Sequence, residues 1–219
     1  GEENEEHEFE YLTESFRKLR GTETLKTEEI GDLVKYVDKF VTCSLNPAKL
    51  SKMGCSDGAA LAKLAEEVQQ HRHTKTCRKY DTTCRFHKPT FPMKKTKVFC
   101  NELTSEQNKD DSQRKRKPEI LVKVKELLDD KVTIDKIMSK YNKKEESLKE
   151  YEANREERID ELLRIAGTNY REYEEEIKHS VKQGYTILLE RDIDEGYINA
   201  FNPEWLEAWG GNIDLQPCF

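Results

Sequence analysis

From Pro118 to about residue 183, apolar side chains return every third or fourth position, a spacing that suits amphipathic helix and little else. Ile120, Leu121, Val124, Leu127 and Leu128 form one stripe, and Pro118 suits a first helical position. Thr133 can cap a short helix reaching Tyr141. A long, highly charged helix is expected over about 143–166, with Ile159, Leu162, Leu163 and Ala166 gathered in its last turns and Gly167 ending it. Asn169, with Glu172 three residues on, opens another, whose core side carries Tyr170, Tyr173, Ile177 and Val181. Because charged residues make up 37% and hydrophobic ones only 35%, these helices should show wide solvated faces and share an economical core.

The same periodicity appears earlier. Thr27 can cap a helix to Val41 whose face holds Ile30, Leu33, Val34, Val37 and Val41. SLNPAKLSKMGC, residues 44–55, reads as a loop broken at Asn46-Pro47 and Gly54. Ser56 or Asp57 then starts a helix with Leu61, Leu64, Ala65 and Val68 on its buried stripe. YTILLER, 185–191, has strand character, and NIDLQP, 212–217, alternates like a second strand with Asn212, Asp214 and Gln216 on one side. Between them NPEWLEAW has Asn202 as cap and Pro203 at the first helical position, with Trp205 and Trp209 on one face assigned to the core.

Where the second helix runs out, the chain reads HRHTKTCRKYDTTCRF. His71, His73, Cys77 and Cys84 supply two imidazoles and two thiols with short loops between them, the ligand types of a closed tetrahedral zinc site. Residues at i and i+2 point to opposite sides of an extended chain, so Cys43 is an alternative to His71, and His87 a weaker substitute. The plain alternative is an exposed basic loop with ordinary thiols. The six cysteines are spread too widely for a small disulfide scaffold, which favours metal ligation in a reducing, intracellular setting. A catalytic histidine pair of the His-hydrophobic-His nuclease type fits less well, because Arg72 occupies the middle position and cysteines follow.

Charge is unevenly distributed. Between His71 and Val98 nine lysines or arginines face a single acid, Asp81, in a chain whose net charge is -6. A local cationic patch on an acidic chain is expected to meet a polyanion, since the local potential steers phosphates. Arg72, Lys75, Arg78, Lys79, Arg85, Lys88, Lys94 and Lys95 are the candidate phosphate contacts. Tyr80 among them can stack on an unpaired base, which points to single-stranded DNA, while Phe86 is assigned to packing against the metal knuckle. RKRK at 114–117 is a common kind of basic cluster and adds little. No run of eighteen apolar residues is present, so no membrane partner is expected.

HRHTKTCRKYDTTCRFHKPTFPMKKT resembles the HxHTxTC...CRF-x-x-P-x-FPM-x-x-T block of the replicase-helicase proteins of Helitron transposons. DKFVTCSL at 38–45 is similar to the segment before that block, and LLERDIDEGYINAFNPEWLEAWGGNIDLQP at 188–217 to a later stretch of the same family. The likeness spans roughly 28–100 and 185–219, in order. It implies the middle of a rolling-circle replication initiator, with the histidine pair before this chain and the catalytic tyrosines after it. It also implies DNA and the rest of the replicase-helicase polypeptide as partners, no reaction centre within the chain itself, and a nuclear setting in a eukaryote.

The fold class expected is mainly α with a few short β-strands (α+β), a small zinc-stabilised N-terminal part joined to a helical C-terminal part. The organisation expected is an acidic tail at 1–26, a zinc-binding basic module at 27–100 and a polar linker at 101–118. A helical region at 119–219, ending in part of a nuclease scaffold, completes it.

Overall fold

Local capping chemistry decides most helix starts. The computed structural model describes residues 25–78, 84–101, 119–181, 184–213 and 215. In chain order the elements are α1 (Thr27–Phe40), α2 (Pro47–Lys52), α3 (Gly58–Val68), β1 (Lys97–Asn101), α4 (Glu119–Asp129) and α5 (Lys131–Met138), followed by α6 (Leu148–Ala166), α7 (Tyr170–Ser180), β2 (Gly184–Leu188) and α8 (Pro203–Trp209). Asn46, Asp57, Asp130, Ser147, Asn169 and Asn202 each accept a hydrogen bond from a backbone N–H of the first turn they precede. The described fold is mainly helical with one two-stranded sheet. The expected acidic tail and polar linker fall outside the described residues, apart from 25, 26 and 101.

Several elements differ from what the sequence predicts. The α1 cap is Lys26 rather than Thr27, because the Glu29 carboxylate reaches back to accept from the Lys26 N–H at 2.8 Å. α2 forms where a loop was expected: Asn46 caps it and Pro47 needs no N–H at the first position. Asp130, not Thr133, opens α5, and α6 starts at Leu148 because Ser147 and Glu150 make a reciprocal capping box. The strand expected at NIDLQP is absent from residues 212, 213 and 215, although Leu215 N–H still bonds the Ala200 carbonyl at 3.0 Å. β2 pairs instead with β1, antiparallel, with Phe99 opposite Thr186.

Two cores result. Leu121 and Val124 of α4, Ile134 and Ile137 of α5, Ile159, Leu162 and Leu163 of α6, and Tyr173 and Ile177 of α7 close around Met93 and Phe99. Leu50 of α2 and Leu61 and Ala65 of α3 pack with Cys43, Ile198, Phe201 and Leu206 in the second. α2 and α3 approach so closely that a Cβ on Gly58 would lie 2.1 Å from the Pro47 carbonyl oxygen. Both cores take side chains from both sides of the 102–118 segment. Isolated antiparallel bridges, Thr42 with Phe201, Gln70 with Ile198 and Met93 with Arg191, tie the same two stretches together.

Trp205 and Trp209 do not join either core. They are 61% and 77% exposed, because the single buried turn of α8 is already filled by Pro203 and Leu206 against Phe201.

A buried ionic network links the cores. Arg158, fully buried on α6, donates to Asp192 Oδ2 at 2.6 Å and to Glu146 Oε1 at 2.9 Å. Lys143 reaches Asp194 at 2.5 Å and Glu195 at 2.8 Å, while Asn46 Nδ2 donates to the carbonyls of Lys143 and Glu146, both at 3.2 Å. Burial pushes the Glu195 carboxyl up, but the Lys143 ammonium and the N–H groups of Asp192 and Leu45 outweigh it and hold the group at about 2. A depressed carboxylate contributes stability in full above its ordinary value of 4.5 and loses it as pH falls toward about 2. Acid titration of Glu195→Gln should therefore show a shallower loss of stability than wild type across that window. Equal slopes would remove Glu195 from the acid response.

Candidate metal centre

The centre is built by a helix end and two tight turns. α3 stops at Val68, and the chain is then pinned to the 197–199 segment: Asn199 N–H bonds the Gln69 carbonyl at 2.9 Å and His71 N–H the Tyr197 carbonyl at 2.8 Å. A turn follows in which Arg78 N–H meets the Thr74 carbonyl at 3.3 Å, and Arg85 N–H returns to the Cys77 carbonyl at 3.0 Å. Cys77 and Cys84 are thereby turned inward, 3% and 6% exposed, beside two half-buried histidines.

One ligand atom from each of His71, His73, Cys77 and Cys84 lies within 4.8 Å of the others, an arrangement able to hold a metal ion. Cys77 Sγ is 3.5 Å from His73 Nδ1 and Cys84 Sγ is 3.4 Å from His71 Nε2. Zinc–nitrogen and zinc–sulfur bonds at a tetrahedral angle separate such atoms by about 3.6 Å, so these two pairs have the separation that ligands of one ion would show. Among the described residues His73 Nε2 is buried with no hydrogen-bond partner, while Nδ1 of the same ring faces Cys77 Sγ.

The electrostatics favour ligand protonation states. Burial opposes charge on Cys77, yet the Thr74 N–H donating to Sγ at 3.2 Å, with help from Cys84 and Arg78, holds its thiol below the ordinary value. Burial and the Arg78 charge lower His73, keeping its imidazole neutral.

Cys43, the sequence alternative to His71, is not part of the cluster. It is fully buried in the second core, its Sγ donates to the Glu190 carbonyl at 3.3 Å, and burial pushes its thiol up. His87 follows Cys84 in the turn, where its N–H bonds the Cys84 carbonyl at 2.9 Å, and it too lies outside the cluster.

The cationic residues divide by their surroundings. Arg72, Lys75, Arg78 and Arg85 are exposed around the knuckle, and Lys95 is exposed farther along. Lys88 is half-buried, its Nζ donating to the Ile198 carbonyl at 3.1 Å. Lys94 pairs with Asp160 of α6 at 2.6 Å and sits over the Tyr170 ring, which commits it to the helical core. Lys79, Tyr80, Asp214 and Gln216 lie outside the described residues. Phe86, expected to pack on the knuckle, does meet the His71 ring edge-on at 5.4 Å, yet it stays 41% exposed with the Arg85 guanidinium 4.6 Å above its ring. The sequence reading did not anticipate the buried Arg155 and Arg158, since charged positions on a polar helix look solvated.

Comparison of the chain with protein-family models, with curated proteins and with solved structures finds no match. No described helix is long and apolar enough to cross a membrane.

Proposed function

We propose that His71, His73, Cys77 and Cys84 hold one structural zinc ion, and that the loop they close is a single-stranded DNA-binding face. The observation that carries this reading is the convergence of two imidazoles and two buried thiols inside the most cationic stretch of the chain. A closed four-ligand set leaves no open position for substrate, so the ion's contribution is architectural. It would fix the backbone from His71 to Cys84 and so hold Arg72, Lys75, Arg78 and Arg85 outward in advance of binding. Ordering long side chains before binding reduces the entropy lost when they meet phosphates.

In this reading the chain is the DNA-positioning middle of a Helitron-like rolling-circle replicase-helicase, whose nuclease centre lies outside it. The sequence likeness at 38–45, 71–96 and 188–217 supports that placement, and the packing of 42–70 with 189–213 makes those separated stretches one unit. A second reading, a zinc-stabilised protein-interaction module without nucleic-acid activity, is favoured by one observation: Trp205 and Trp209 are exposed together on α8.

Titration of a fluorescent oligo(dT) against the protein at several salt concentrations separates the two. DNA binding predicts an affinity that falls steeply with salt, and a drop of at least about tenfold on charge reversal at Arg78 and Lys79 together. Salt-insensitive or undetectable binding at low salt would leave the interaction module as the standing reading.

A further inference from the structure

Beside the knuckle lies a cleft of about 540 Å³, lined by residues between 70 and 77 and between 85 and 90, by the end of β2 and by residues 191, 199, 200, 212 and 215. That volume is within the range of about 300–1,000 Å³ typical of small-molecule sites. We infer that this cleft seats one unpaired nucleotide, with its phosphate at Arg72, Arg85 and Lys88, its base against Phe86, and its polar edge read by Asn199 and Asn212. The inference rests on the DNA-binding reading and deepens it, since it assigns a read nucleotide to a wall that the basic loop does not supply.

Three features of the cleft point to the same chemistry. Its lining is cationic: Arg72, Arg85 and Lys88 contribute to it, among the described residues Arg72 makes no ion pair, and Lys88 Nζ donates to the Ile198 carbonyl. Its aromatic member, Phe86, is 41% exposed and backed edge-on by the His71 ring, a platform whose position depends on the metal knuckle. The Arg85 guanidinium covers one face of the ring at 4.6 Å, so a base would stack on the other, a contact that every base supports.

Two residues with side-chain amides also line the cleft. Among the described residues, neither Asn199 nor Asn212 side chain has a hydrogen-bond partner, although the Asn199 backbone is fixed to Gln69 at 2.9 Å. An amide offers a donor and an acceptor together, the pair needed by the polar edge of a base. The floor is rigid. Arg191, 5% exposed, donates through Nη1 to the carbonyls of Glu195 and Ile198, so its guanidinium braces the backbone on which the amide wall is built.

The test is oligo(dT) binding by anisotropy, as a function of salt, for wild type, Arg72→Gln, Phe86→Leu, Asn199→Leu and Asn212→Leu. Metal content and circular dichroism check that each variant is folded. Arg72→Gln should reduce the slope of log affinity against log salt by about one. Phe86→Leu, Asn199→Leu and Asn212→Leu should each weaken binding about three- to tenfold with the salt slope unchanged, because stacking and edge contacts release no counterions. Asn212 is exposed and lies outside the loop that carries the metal ligands, so its variant remains informative if Phe86→Leu disturbs the knuckle. Wild-type affinity in the folded amide variants, together with loss on charge reversal at Arg78 and Lys79, would overturn the cleft and leave the DNA-binding reading standing. A wild type that binds no oligo(dT) at low salt would overturn both.

Discussion

Replacing Cys77 or Cys84 by serine is expected to reduce bound zinc from about one per chain to near zero, since a serine hydroxyl does not ionise at neutral pH and supplies no anionic ligand. Mass spectrometry of the native protein, purified without chelator, measures this directly. The structural consequence should be local. The backbone bonds of Arg85 to Cys77 and of His87 to Cys84 belong to the loop that the ion would close, while α4 to α7 pack in a separate core. Amide exchange should therefore accelerate across residues 84–87 and stay slow in α6 and α7. Cys43→Ser is the matched control: its thiol sits in the second core, away from the cluster, and that variant should keep its zinc. Metal-free wild type would remove the centre, and with it the ordering of the basic face.

The largest stability effect is expected at Arg158. Truncation to alanine leaves Asp192, fully buried, with only Lys143 at 3.4 Å, and Glu146, nearly buried, without the cation it faces at 2.9 Å. Breaking a buried pair in this way costs about 3–5 kcal/mol, because the remaining charge keeps its desolvation penalty and loses its partner. For a chain of this size that is a fall in Tm of roughly 10 °C. Lys140→Ala is the comparison. Its ion pair with Glu161 lies at 2.5 Å, but the lysine side chain is 50% exposed, and exposed pairs contribute about 1 kcal/mol or less. Thermal melts of the two variants should differ severalfold in their shift. Equal shifts would mean that the Arg158 network carries no special weight in joining the cores.

Much of the helical fold was legible because its signals are local. The stripes in α1, α3, α4 and α7, the caps Asp57, Asn169 and Asn202, and Gly167, which adopts φ of 80° at the end of α6, each act within a turn or two of chain. The misplaced starts of α5 and α6 have the same origin. Asp130 and Ser147 were equally eligible caps, and a single sequence does not rank competing caps. In the same way the Asn46-Pro47 pair was read as a loop signal, though it is also a helix start.

The His/Cys spacing by itself put four side chains of metal-ligating type within fourteen residues, which made a single cluster possible without fixing it. Only the tertiary structure decided that His71 rather than Cys43 completes the set. That choice depends on the pairing of 70 with 198 and of 42 with 201, which sends His71 to the knuckle and Cys43 into the core. The same long-range contacts brought β1 to β2, turned Arg158 inward, left Trp205 and Trp209 in solvent, and brought Asn199 and Asn212 to the same cleft as Phe86. Local spacing sets which face of a segment is apolar or cationic. What that face meets is set by closure of the chain over a hundred residues or more, where burial and hydrogen-bond satisfaction, rather than the residue's own type, decide its environment.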